Sequence, residues 1–223
     1  VTDRMRPDRA TPAYAVRKPL LDWLRGHDVA GLRVLDVGCG DDPYGSLLSG
    51  ASEVVGFDMP GNPHAALHGS IEALPVEDAS FDVVLCIQVL EHVPDPAAAV
   101  RELRRAVRPG GRVLASTHGV APFHPSPADY WRWTRPGLER LFAENGTWSS
   151  LEVLPGAGTT ATVAMLVAHL VDLLFKRARV RPLGRPLVLG LNAAGEALDR
   201  AVPLLREPVP GSLTANFHVE AVA

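Results

Sequence analysis

Apolar residues along this chain follow two rhythms, short unbroken runs and helical spacings, and their succession predicts strands alternating with helices. Tyr14, Val16, Leu20, Leu21 and Leu24 recur at helical spacing and predict an amphipathic helix over 11–27. A strand over 33–37 follows, then a helix from about Pro43 to Leu48, then a strand over 53–58. A loop holding Pro60, Gly61, Asn62 and Pro63 leads to a short element around 65–73. Residues 82–87 are apolar at nearly every position, as a central parallel strand covered on both faces must be. A helix over 95–107 opens on Asp95-Pro96, an N-cap with proline at the first position, and Pro109-Gly110-Gly111 stops it. A strand over 112–117, a helix over 134–145 capped by Thr134 and a strand at about 150–154 come next. The alternation over 214–222 suits one more strand beside the last.

The chemistry concentrates where the first strand ends. Val34-Leu35-Asp36-Val37-Gly38-Cys39-Gly40 reads as a buried strand entering a glycine turn, and Val54-Val55-Gly56-Phe57-Asp58 as a second strand ending in a lone acid. Bare backbone at Gly38 and Gly40 lets a ligand approach closely, and an acid on the neighbouring strand tip can accept from both hydroxyls of a ribose. Asp58 lies 22 residues beyond Asp36, close to the roughly 20-residue separation expected for adjacent strands of one sheet. A dinucleotide fold wants a third glycine in G-x-G-x-x-G, and here the turn continues Asp41-Asp42-Pro43-Tyr44-Gly45. Paired acids at that entrance repel phosphate and suit a cationic ligand, or they cap the following helix; both can hold together.

These segments resemble the class I S-adenosylmethionine-dependent methyltransferases of the small-molecule type, from sugar, polysaccharide and natural-product pathways. The resemblance rests on the glycine turn, Asp58, Leu74-Pro75 with Phe81-Asp82-Val83-Val84, Leu90-Glu91-His92-Val93, and Arg108-Pro109-Gly110-Gly111-Arg112-Val113-Leu114, in that order over residues 10 to 155. It implies an α/β fold, a Rossmann-like seven-stranded mostly parallel sheet with an antiparallel last strand and helices on both faces. It also implies one domain over 1–223, with 156–212 as a helical insertion between the last two strands. The cofactor it implies is S-adenosyl-L-methionine, held by Asp36, Gly38, Cys39, Gly40, Asp58 and Met59. Ser70, Ile71 and Glu72 stand on the adenine side, and Cys86, Ile87, Gln88 and His92 follow the central strand. Ser70 replaces the family's usual Asp, so the adenine contact passes to Glu72 or to backbone near Ile71. Cys86-Ile87-Gln88-Val89 is not the Asn/Asp-Pro-Pro-Tyr/Phe of enzymes that methylate an exocyclic nitrogen of nucleic acid, which argues against DNA adenine.

Composition narrows the reading further. With 223 residues and 47% hydrophobic content the chain can bury a full core as one domain. A net charge of −3 gives no general pull toward nucleic acid. Arg101, Arg104, Arg105, Arg108 and Arg112 read as a solvated helix face and its exit turn. Cys39 and Cys86 lack C-x-x-C spacing and read as buried thiols of a reducing compartment, with no zinc site and no metal. The polar start, 1–6, predicts no signal peptide, and the expected location is the cytoplasm.

Residues 160–175 are strongly apolar, shorter than the ~20 needed to span a bilayer and interrupted by His169 and Asp172. Lys176, Arg177, Arg179, Arg181 and Arg185 follow, then a helix around 187–205. Two readings stand: a helical hairpin packed on the sheet edge or against a second subunit through 160–205, or a peripheral membrane surface whose arginines meet lipid phosphates. The latter would fit a lipid-linked acceptor.

Methyl transfer to an oxygen needs a base, and histidine suits neutral pH. His118 follows the strand over 112–117 and His124 lies in the proline-bounded loop after it; both rank above His92 as that base. Tyr14, Tyr130, Trp131 and Arg132 are candidate acceptor contacts, since Asp129-Tyr130-Trp131-Arg132-Trp133 could stack on a ring and hold an acid, or pack as core with Arg132 pinned to Asp129. The acceptor expected is a hydroxyl of a sugar, lipid-linked or natural-product intermediate. A cofactor-binding scaffold without turnover, and a nicotinamide-dependent oxidoreductase, are the competing classes.

Overall fold

The computed structural model describes residues 4–125 and 127–223. One sheet of seven strands organises the chain: β1 (Arg33–Val37), β2 (Glu53–Asp58), β3 (Leu67–His68), β4 (Phe81–Ile87), β5 (Val107–His118), β6 (Ser150–Pro155) and β7 (Asn216–Val222). Their spatial order is β3-β2-β1-β4-β5-β7-β6. β1 pairs in parallel with β2 and β4, β2 with β3, and β4 with β5. β7 runs the other way. The Gly110 N–H donates to the Ala223 carbonyl while the Gly119 N–H donates to that of Ala215, so β5 rises as β7 descends. The Ser149 and Gly156 N–H groups likewise donate to Val222 and Asn216, so β7 is antiparallel to β6 also.

The helices are α1 (Tyr14–Arg25), α2 (Pro96–Ala106), α3 (Arg135–Asn145), α4 (Thr159–Arg177) and α5 (Arg181–Ala201). Two starts follow the sequence directly. The Asp95 carboxylate accepts from the Ala98 N–H at the head of α2, and the Thr134 hydroxyl accepts from the Gly137 N–H at the head of α3. Val34, Leu35, Val83, Val84, Val113 and Ala115 are fully buried, which is why the middle of each of the three central strands is apolar.

Contacts gather the chain into two compact units. One holds Leu24–His118, His124–Leu154 and His218–Ala223, hence most of the sheet with α2 and α3. The other holds the chain up to Trp23, Gly119–Phe123 and Pro155–Phe217, hence α4, α5 and most of α1. In this second unit, Ala15, Ala157, Ala161, Met165 and Ala215 form a core. Asp199 of α5 accepts from the Thr160 and Ala161 N–H groups and so caps α4, which lacks an N-cap side chain of its own.

The first helix is shorter than the expected 11–27, running Tyr14–Arg25, and three other elements differ from the sequence expectation in ways with a clear local cause. The helix expected from Pro43 to Leu48 is a single 3-10 turn, Gly45–Leu47, because Asp42 enters it with φ +52° and its carboxylate lies against Gly45, where an added Cβ would meet it at 2.1 Å. The strand expected over 112–117 starts at Val107: the Pro109-Gly110-Gly111 excursion is a bulge, with Phe81 paired to Val107 and Val83 to Arg112. The last helix starts at Arg181, six residues early, because Pro182 is tolerated in its first turn.

Candidate active site and cofactor turn

Two clusters meet the carboxyl ends of the central strands, both within the larger unit. The first is the glycine turn after β1. Gly38 has φ +75° and Gly40 φ +57°, conformations that side-chain-bearing residues rarely adopt. A Cβ on Gly38 would strike Val89 Cγ2 at 2.3 Å, whereas one on Gly40 would meet nothing within 4 Å, so open space lies above Gly40. The Gly38 and Cys39 N–H groups both donate to the Phe57 carbonyl, at 2.8 and 3.1 Å, which stitches the turn to β2.

Asp58 is braced from the same turn. Its Oδ2 accepts from the Gly40 N–H at 2.9 Å and from the Asn62 amide at 2.6 Å, and its Oδ1 accepts from the Met59 N–H at 2.7 Å. The Asn62 amide also donates to the Gly40 carbonyl at 2.7 Å. Asn62 therefore ties turn to acid; the sequence predicts only a loop here, although Pro60-Gly61-Asn62-Pro63 directly after an acid-tipped strand is a usable signal. The aimed carboxylate keeps lone pairs free for further donors.

Asp36 is buried at the same corner. Desolvation, then the negative charges of Asp42 and Asp58, push its carboxyl up to about 7. Three acids around one turn make a site that a cation stabilises and a phosphate does not. Cys39 and Cys86 are buried free thiols, and burial raises both, Cys39 to about 11. Open backbone, an aimed acid and an acidic corner together fit a cationic nucleoside such as S-adenosyl-L-methionine.

On the expected adenine side, Ser70 caps a 3-10 turn, Ile71–Ala73, by accepting from the Glu72 N–H. Glu72 in turn accepts from the Asp95 N–H at 2.9 Å, and Ile71 is buried. At the end of β4, Gln88 adopts φ +58°, and its amide donates to Ser116 Oγ at 3.0 Å.

The second cluster centres on Glu91, a carboxylate with no exposed surface. Its Oε2 accepts from the Thr117 hydroxyl at 2.8 Å and its Oε1 lies 3.3 Å from His118 Nε2. The Tyr130 and Trp131 N–H groups both reach the Glu91 carbonyl, at 2.8 and 3.3 Å, so the aromatic segment wraps the same residue. Burial raises the Glu91 carboxyl, opposed by its bonds to backbone and to Thr117. Burial, then Arg132, His124 and His92, holds the His118 imidazole down at about 4. At neutral pH His118 is uncharged. His118 Nε2 faces the Glu91 carboxylate, and Nδ1 is buried with no hydrogen-bond partner among the described residues.

The other sequence candidates are partly gathered here. His124 lies 6.3 Å from His118 and 5.5 Å from His92 between ring centroids, and its N–H donates to Asp129 Oδ2. His92 Nδ1 contacts the Ala128 carbonyl. Arg132 grips Asp129 with two nitrogens, and this pairing holds the Asp129 carboxyl far below the usual range. Trp131 stacks on Trp133 at 5.6 Å and donates to the Val93 carbonyl, while Tyr130 is more than half exposed. Tyr14 belongs to the other unit, where its hydroxyl donates to Glu196 beside Arg9. Sequence reading missed Glu91 as a site residue. Its neighbours Leu90-Glu91-His92-Val93 form a motif, but nothing in the spacing tells a buried acid from a helix-capping one.

The five arginines of α2 and its exit are engaged within the fold: Arg101 with Asn145, Arg104 with the Thr147 carbonyl, Arg105 with Glu102 and Asp78, Arg108 with Asp82, Arg112 with the Asp28 carbonyl.

Residues 8–147 match the family described as "Methyltransferase domain". A ubiquinone biosynthesis O-methyltransferase from Neisseria meningitidis (serogroup A / serotype 4A) is 43% identical, over 46% of this chain and 51% of that protein. The enzyme of the same name from Xanthomonas oryzae pv. oryzae is 38% identical, over 50% and 54%. The chain thus spans about half the length of the curated relatives it matches. Among solved structures, the cyclase SpnF superposes with a TM-score of 0.59 at 17% identity, covering 96% of this chain and 84% of that one. The YcgJ protein of a Bacillus superposes at 0.55 and 19%, covering 92% and 97%. These two share the fold. A family match over well over half of the chain, on a sheet and glycine turn of this geometry, places the protein among the class I S-adenosylmethionine-dependent methyltransferases.

Proposed function

We propose that this protein methylates a hydroxyl of a small-molecule acceptor, with His118 taking the hydroxyl proton. One observation carries the reading: a neutral imidazole whose Nε2 lies 3.3 Å from buried Glu91 and whose Nδ1 has no hydrogen-bond partner among the described residues. When bound, S-adenosylmethionine supplies a methyl group made electrophilic by its sulfonium. The chain's own part is to hold, orient and deprotonate. Asp58, fixed by Gly40, Met59 and Asn62, would hold the ribose; Asp36 would face the positive end; Ser70, Ile71 and Glu72 would border the adenine. As Nδ1 accepts the proton, the Glu91 carboxylate, 3.3 Å from Nε2, would offset the new charge, and Thr117 keeps that carboxylate in place. Tyr130, Trp131 and Arg132 would contact the acceptor. The O-methyltransferase names of the two curated relatives support oxygen as the nucleophile.

On this proposal the protein works in the cytoplasm, which the free thiols of Cys39 and Cys86 support, with contact through 160–205 to a membrane or a second copy. The test is demethylated-cofactor release with matched acceptors, one bearing a free hydroxyl and one the same hydroxyl blocked. Turnover on the first alone is expected. Equal turnover on a matched amine, or none on any hydroxyl panel despite tight cofactor binding, would contradict it.

Asp36 gives the cofactor step a pH signature. A cationic ligand interacts best with the ionised carboxylate, so binding lowers the Asp36 pKa from about 7 and affinity rises with pH. Calorimetric titration is expected to give roughly tenfold tighter binding at pH 8 than at pH 6. In Asp36→Asn the dependence should vanish; a profile unchanged by that substitution would assign it to another group.

A further inference from the structure

The α4–α5 hairpin turns an unusual surface outward. Its two helices meet through small residues, and a Cβ on Gly195 would come within 2.8 Å of the Ala164 side chain. The inner face of α4 is Ala161, Ala164, Met165 and Ala168, all buried. The outer face is apolar as well: every exposed position of α4 from Val163 to Leu174 is Val or Leu. Val163, Val167, Leu170 and Leu174 fall three or four residues apart and form one stripe, with Leu170 54% and Leu174 56% exposed. Leu183 and Leu187, near the start of α5, extend it with 68% and 54% exposure. Soluble chains rarely leave a contiguous patch of this kind open to water.

The charge on the same element names the partner. Residues 159–206 hold seven lysines and arginines against three acids, in a chain whose net charge is −3. Lys176, Arg177 and Arg179 stand exposed at the bend, next to the exposed leucines. Asp172 near the tip is paired with Arg181 at 2.7 Å, so it does not offset them. A two-fold contact between copies through this tip would set cations against cations. An anionic bilayer surface complements both properties, taking the leucines into the acyl boundary and the cations among the phosphates.

We infer that the bend of the α4–α5 hairpin docks the protein on membranes containing anionic phospholipid. The inference stands apart from the identity of the methyl acceptor, because it rests on a different element and a different readout. The experiment is flotation of the purified protein with phosphatidylcholine vesicles, with and without phosphatidylglycerol, at low and high salt. The full chain is expected to float with the anionic vesicles only, and less at high salt. Lys176→Gln with Arg177→Gln is expected to weaken partitioning roughly 20- to 30-fold, and Leu170→Ser with Leu174→Ser about tenfold or more. Both pairs are solvent-exposed, and circular dichroism checks that the helices persist. Absence of flotation with either vesicle would overturn the inference. So would equal flotation with both vesicles that the glutamine pair leaves untouched. A dimer by light scattering, dissociated by the serine pair with no vesicle binding, would assign the face to a second copy instead.

Discussion

His118→Ala is expected to lower turnover on a hydroxyl acceptor by roughly 10²- to 10⁴-fold while leaving cofactor affinity unchanged. The substitution removes a buried ring nitrogen that has no hydrogen-bond partner among the described residues, yet touches nothing in the glycine turn. The pH profile distinguishes a base from a packing residue. His118 is held at about 4, and a base works only deprotonated, so wild-type turnover should fall as pH drops through the region near 4 and be flat above it. The residual activity of the variant should lose that limb. Glu91→Gln, which can keep the Thr117 bond but loses the charge behind Nε2, should move turnover in the same direction by less. If His118→Ala retains full activity, His124, 6.3 Å away, inherits the role; if His124→Ala is also fully active, histidine base catalysis is wrong for this enzyme.

Asp58→Ala is expected to weaken cofactor binding by about 1.5–3 kcal/mol, roughly 10- to 150-fold, through loss of charge-assisted bonds to the ribose. The loss includes an indirect part. Without the carboxylate, the Gly40 N–H and the Asn62 amide each lose an acceptor, and the turn is no longer tied to β2 at that point. Asn62→Ala separates the two contributions: it leaves the carboxylate and removes one brace, so it should cost less. Calorimetry with the demethylated cofactor reads both variants, and unchanged affinity in Asp58→Ala would mean the ribose is held elsewhere.

What the sequence made legible follows from where signals are local. Short, largely apolar segments at 33–37 and 82–87, each bounded by turn residues, read as buried parallel strands, and Asp95-Pro96 and Thr134 carry their caps in their own chemistry. Gly38 and Gly40 were readable because φ values of +75° and +57° admit few other residues. The misplaced start of β5 has the opposite cause: Pro109-Gly110-Gly111 reads as a break, and only pairing with β4 converts it into a bulge. Glu91 and Asn62 were overlooked for a related reason. An acid becomes a positioning group by burial against Thr117 and His118, and an amide becomes a brace by reaching Gly40 and Asp58. Both are tertiary facts. The hairpin was legible as helices but not as a surface, since periodicity cannot say which apolar face packs inward and which is left outside.

The central claim is that the turn at Gly38–Gly40 and the carboxylate of Asp58 hold the adenosyl half of a methyl donor. A crystal structure with S-adenosylhomocysteine bound tests it most directly. The expected result has both ribose hydroxyls donating to Asp58 and the ligand backbone running over Gly40. A ligand bound away from that turn, with Asp58 still bonded only to Gly40, Met59 and Asn62, would contradict it.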